Sequence, residues 1–124
     1  MVDISEYAEL EWSDDVLIIR FITDKHIDLE VAKAITAARY EFSERKDHKL
    51  VVSFPKIAEA DPDAKRYWSS PEAKEHILAN AIVTPTVVAK LIVNFFLGMN
   101  KGDKYPRKLF DTETEALFWI KNLK

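Results

Sequence analysis

Cysteine is absent from the chain, and its 124 residues include only two glycines, Gly98 and Gly102. The first absence excludes disulfides, thiolate-type zinc sites, thiol nucleophiles and redox switching, and it fits a protein of the reducing cytoplasm. The second leaves no means of building a P-loop or a dinucleotide-binding turn, since both need glycine where backbone closes on phosphate. A GxSxG nucleophile elbow is missing as well. Positive charge is not in excess: the formal net charge is -3. The basic stretch Lys101 to Lys108 (KGDKYPRK) is diluted by Asp103 and lacks interleaved aromatics. Nucleic acid is therefore not an expected partner. Long hydrophobic runs are missing too. The longest, Val87 to Met99, is interrupted by Lys90 and Asn94 and is too short to cross a bilayer. The acidic start MVDISEYAELEW does not read as a leader peptide. A soluble cytoplasmic protein without membrane insertion is the expectation.

What is present is enough for a core. Hydrophobic residues make up 48% and charged residues 31%, a balance that supports a buried interior and a solvated surface and argues against disorder. No repeat, linker or low-complexity tract divides the chain, so one domain spanning 1–124 is expected. Ala8, Leu10 and Trp12 alternate with Glu9 and Glu11, the period of a half-buried strand. After a Ser13-Asp14-Asp15 turn, Val16 to Ile22 (VLIIRFI) reads as a strand covered on both faces. Asp28 is placed to cap a helix whose stripe is Val31, Ala34, Ile35, Ala38 and Phe42, with Glu30, Lys33, Arg39 and Glu41 off that stripe.

Lys49 to Phe54 predicts a third strand, ended by Pro55. Asp61-Pro62 and Ser70-Pro71 are cap-then-proline pairs, which predict two short helices, or one broken one, up to Ile77. Ala79 to Thr84 predicts a fourth strand, and Thr84-Pro85 opens a helix to about Met99. Arg107 to Asp111 predicts a fifth strand. Thr112 with Glu115 is a capping box for a last helix with Ala116, Trp119, Ile120 and Leu123 inward. The order ββαβαβαβα implies an α/β domain around a mixed sheet of about five strands, the first an antiparallel edge.

That order, closed by LFDTETEALFWIKNL, resembles the STAS-like domains related to the anti-sigma factor antagonists. Those share a chain path with the sulphate-transporter C-terminal domain and are often grouped with CRAL-TRIO lipid-transfer folds. The stretch Ala79 to Leu123 is especially similar to a stand-alone bacterial branch of this group, and the likeness covers nearly the whole chain. In the anti-sigma factor antagonists, the third strand leads to an acidic residue and then a phosphorylatable serine at a helix start. Here Asp61 matches the acidic residue, while Pro62 and Asp63 stand where the serine is expected. The resemblance thus implies a regulatory protein-interaction module without an obvious phosphoserine switch. Asp63 can imitate the phosphate weakly, since a helix start favours negative charge. An ordinary cap is the competing reading of Asp61.

Candidate chemistry is sparse. His26, His48 and His76 lack ligand spacing, so neither metal nor cofactor is expected, and His48 reads as part of a polar turn. Asp14-Asp15 and Asp61 with Asp63 are acid pairs in turns, where solvated caps are usual. Catalysis is not expected, and a small enzyme using scattered acids is the weakest reading. Two surfaces remain. In the 85–99 helix, Val87, Ala89, Val93 and Leu97 carry apolar character beyond the stripe of Val88, Leu91, Ile92, Phe95, Phe96 and Met99, with Lys90 and Asn94 among them. One sheet does not hide so wide an arc. Neighbouring helices, a homodimer or partner interface, or an apolar ligand pocket would each cover it. The second surface is Asp61, Asp63, Arg66, Tyr67 and Trp68, which has the residue types of interaction hot spots, although both aromatics also suit a core. A homodimeric interaction module leads, with a carrier or sensor of a small apolar ligand such as a lipid as the alternative.

Overall fold

The computed structural model describes residues 2–22, 25–54, 60–84 and 105–123. The 85–99 segment, with Val87, Lys90, Asn94 and Leu97, lies outside the described residues, so the apolar arc expected there is not tested.

Strands β1 (Ala8–Ser13) and β2 (Val16–Phe21) form the hairpin, with Ser13 opposite Val16. The turn holds Asp14 at φ 55, a left-handed conformation that Asp tolerates better than most residues. Helix α1 (Leu29–Phe42) follows, capped as expected by Asp28, whose carboxylate accepts from the Val31 amide at 2.9 Å. Then come β3 (His48–Ser53), α2 (Pro62–Trp68), α3 (Pro71–Lys74), β4 (Ile77–Val83), β5 (Arg107–Phe110) and α4 (Glu113–Lys121). The strand order is β1-β2-β3-β4-β5, with β1 antiparallel to β2 and the other pairs parallel. Two of the three prolines expected at helix starts, Pro62 and Pro71, stand there, and Pro85 lies outside the described residues.

Register divides the sheet into two faces. Leu17, Ile19, Phe21 and Leu50 turn one way and pack on Val31 and Ile35 of α1. Val16, Ile18, Val51, Ala79, Ala81 and Val83 turn the other way and pack on Ala116 and Ile120 of α4. β2 is accordingly buried at Val16, Leu17, Ile18, Ile19 and Phe21, because helices press on both sides of it.

Three expectations need correction. Helix α1 buries Val31, Ala32, Ile35, Thr36, Arg39 and Tyr40, so its inner face is rotated and Arg39 is only 2% exposed. The helix meets α2 and α3 as well as the sheet, and these second contacts shift the face. Phe42 is 38% exposed instead of buried, and Trp12 is 43% exposed. The two rings stack at 5.8 Å, covering each other where the sheet does not. His48 is not a polar-turn residue. It is 3% exposed and begins β3.

Candidate functional site

The segment Asp61 to Trp68 is the second expected surface, and its side chains engage different parts of the fold. Asp61 stands at the N-cap of α2 but makes no side-chain cap hydrogen bond. Its carboxylate accepts instead from His26 Nε2, and its amide donates to the Ile27 carbonyl at 3.0 Å. Asp63 turns to the Ala64 amide at 2.9 Å and does not join that pair. The His26 and Asp61 side chains are 53% and 37% exposed, so the pair lies at the surface and lines no enclosed site. Trp68 packs edge-on to Phe21 at 6.5 Å in the α1-side core. Tyr67 lies half-buried between Lys33, Thr36 and Glu72, and burial raises its phenol above the ordinary range. Arg66 is exposed. Both aromatics thus contribute to packing while staying partly exposed, as Asp61 and Asp63 do, and Arg66 is the most open of the five.

Behind α2 and α3 lies a buried polar cluster that the sequence reading missed. Arg39 Nη1 donates to the Glu75 carbonyl and Nη2 to the Ala73 carbonyl, each at 2.9 Å. These are end-of-helix acceptors of α3, for which a buried guanidinium is a suitable donor. Arg39 Nη1 also reaches His48 Nε2 at 3.2 Å. Tyr40 donates its hydroxyl to the Glu72 carbonyl. His76 follows α3 with φ 70, and its Nδ1 donates to Asp47 at 3.0 Å. An arginine spaced four residues from Ile35 on a helix was the available signal, but its charge argued the other way.

The second polar feature ties the sheet to α4. Arg20, near the carboxyl end of β2, donates Nε and Nη2 to the two oxygens of Glu113 at 2.9 and 2.6 Å, and Nη2 to Glu11 at 2.9 Å. Glu9 is 3.7 Å away. Such a two-pronged contact is directional as well as charged. It holds the Glu113 carboxyl below its ordinary value, with help from Ser53, and raises the Arg20 guanidinium further still. At the other end of α4, Lys121 donates to Ser13 and Asp14 at 2.7 and 2.9 Å.

Clamped this way, α4 leaves one side open. Between it and β5 runs a cleft of about 620 Å³ lined by Phe110, Phe118, Trp119 and Leu123, with Lys108, Glu115 and other polar groups around it. Phe110 and Trp119 meet at 5.4 Å, and Lys108 lies over the Phe110 ring at 5.5 Å. Phe118 is 75% exposed, the most exposed of the large apolar side chains among the described residues. The signal was present in the sequence. Leu117, Phe118, Trp119 and Ile120 are four consecutive apolar residues, more than one helix face can hide. Among the described residues no group of acids and histidines could hold a metal ion, and no helix is long and apolar enough to cross a membrane.

Residues 10–124 match the family model described as "Domain of unknown function (DUF7793)". The chain belongs to that family. None of the curated proteins matches it. Among solved structures, this DUF7793 member is similar to an uncharacterized protein of the DUF3478 family with a SpoIIAA-like fold, from Shewanella loihica. The TM-score is 0.67 at 12% identity, over 91% of each chain. It is also similar to an anti-sigma factor antagonist from Mycobacterium paratuberculosis, with a TM-score of 0.59 at 16% identity over 93% of each chain. At such identities the likeness establishes the fold, which is STAS-like, a mixed five-stranded sheet between helices.

Proposed function

We propose that the protein is a non-enzymatic regulatory module that acts by binding protein, and that its partner surface is the α4–β5 cleft. The observation that carries this reading is the exposure of Phe118 beside Trp119 and Phe110 on a helix otherwise fixed at both ends. Burying one such side chain is worth about 1.5–3 kcal/mol, so a rigid element that leaves it in water is poised to cover it with a partner. The fold shared with an anti-sigma factor antagonist supports a protein partner over a substrate.

A second copy of the chain suits the cleft. Among the described residues its rim carries the cation Lys108 and the anion Glu115, and a two-fold contact pairs each with the other's counterpart. The exposed part of α2, with Asp61, Asp63 and Arg66, would stay free in that dimer for another protein. A small apolar ligand such as a lipid is the alternative occupant. Work in the cytoplasm is part of the same proposal.

Dilution of isotope-labelled protein from millimolar to low micromolar concentration tests this directly. Amide shifts concentrated on residues 108–110 and 114–123 are expected, and unchanged spectra or shifts confined to other strands would refute it. Native mass spectrometry of protein purified from cells separates the two occupants: twice the chain mass supports the dimer, and a chain carrying an apolar small molecule supports the ligand.

A further inference from the structure

We propose that the contact between Arg39 and His48 is a pH-sensitive latch, which holds α2 and α3 on α1 at neutral pH and releases them on acidification. The inference does not depend on which surface binds a partner.

The protons of this cluster can be assigned from its geometry. A guanidinium only donates, so at 3.2 Å from Arg39 Nη1 the His48 Nε2 must accept. His48 Nδ1 is 2.8 Å from the Lys46 carbonyl, which only accepts, so Nδ1 carries the hydrogen. His48 is thus a neutral imidazole with both nitrogens engaged, and it is 3% exposed beside an arginine that is 2% exposed. A second proton has one place to go, Nε2. There it would set an N–H against the guanidinium's N–H and a second positive charge beside the first, away from water. Burial, with Arg39 as a further contribution, accordingly lowers the His48 ring below the ordinary histidine value.

Among the described residues, the surrounding charges do not rescue the charged ring. On α1 the facing groups are Arg39 and Tyr40. Ahead of β3 stand the Lys46 carbonyl and Asp47. Both favour protonation, the Lys46 carbonyl more than Asp47, but burial outweighs them, and the Asp47 carboxylate already receives His76 Nδ1 at 3.0 Å. His76, which follows α3, would add repulsion if charged. On α3, Glu75 reaches the Tyr40 hydroxyl at 3.5 Å, and the Glu72 carbonyl accepts from that same hydroxyl. On β1, Trp12 presents a ring edge-on at 6.5 Å. Tyr67 of α2 and Tyr105 ahead of β5 lie within the influence of Arg39.

Relief comes most readily by moving Arg39 away, and Arg39 is what holds the Ala73 and Glu75 carbonyls. Losing them detaches the end of α3 and, through the short Ser69-Ser70 link, α2. The sign follows from linkage. A histidine depressed in the closed state takes up protons on opening, so closure is at full strength above about pH 6.5. It weakens as the pH falls below that value.

The test is amide hydrogen exchange of the intact protein between about pH 7.5 and about pH 5, corrected for intrinsic rates, alongside nitrogen-15 titration of the His48 ring. Opening of residues 61–76 should rise by up to about tenfold per pH unit below about 6.5, with β2 and β3 unchanged. His48→Gln, which keeps an acceptor toward Arg39 but takes no proton, should abolish that dependence. Constant protection of residues 61–76, uniform loss across the sheet, or an unaltered slope in His48→Gln would overturn the latch. If that variant does not fold, the wild type decides alone: the ring titration and the opening must share one midpoint, and separate midpoints refute the coupling.

Discussion

Arg39 is the residue whose role the sequence hid most completely. A charged side chain at a helical position argues for solvent, yet three hydrogen bonds inside the fold outweigh that preference. Its substitution by alanine leaves the carbonyls of Ala73 and Glu75 without their donor. We expect a loss of about 3 kcal/mol, read as a lower urea midpoint with little change in slope. Arg20 behaves differently because its partners sit closer to water, with Glu9 and Glu11 more than half exposed. Arg20→Ala should lose only about 1–2 kcal/mol. The Glu113 carboxyl is depressed in the folded protein, so its contribution is present above its ordinary value near 4.5 and is lost as pH falls below it. Glu113→Gln should flatten that acid limb of the stability curve, and an unchanged limb in thermal melts would show that Arg20 does not hold the carboxylate. Trp12 and Phe42 carry the same lesson in reverse. Period and stripe placed them inward, but each found the other at the surface instead of a layer above it.

At the scale of elements the sequence was far more legible, because caps and breakers act locally. Asp28, Ser70 and Thr112 accept from the amides of Val31, Ala73 and Glu115, three residues on in each case. Strand limits fell within two residues of those read from alternation and apolar runs. Which face each helix buries was less legible, since it depends on neighbours distant in the chain. Helix α1 turned toward α2 and α3, and Asp61 turned from its cap to His26. Capping gives a direct check. Asp28→Ala and Thr112→Ala should each lower stability by about 1 kcal/mol, measured by denaturant unfolding. A loss from Thr112→Ala should also loosen α4, seen as faster amide exchange at its first turn. An Asp61→Ala change should fall below these, because its carboxylate caps nothing.

For the whole molecule, the five-stranded mixed order followed from the alternation of strands with helices, and register then fixed two cores on opposite faces. The candidate surface did not follow so simply. Excess apolar residues point to the 85–99 segment, which lies outside the described residues, whereas the same excess in Leu117 to Ile120 marks the cleft beside α4. A side chain as exposed as Phe118 contributes little to folding, so Phe118→Ser should change stability by no more than about 0.5 kcal/mol. Its effect belongs to association. Sedimentation velocity of the wild type and Phe118→Ser at high micromolar concentration is the most direct trial of the binding proposal. A wild-type dimer that becomes a monomer in the variant, with the melting temperature unchanged, is the predicted result. A wild type that sediments as a monomer throughout, or a dimer that Phe118→Ser leaves intact, would contradict it.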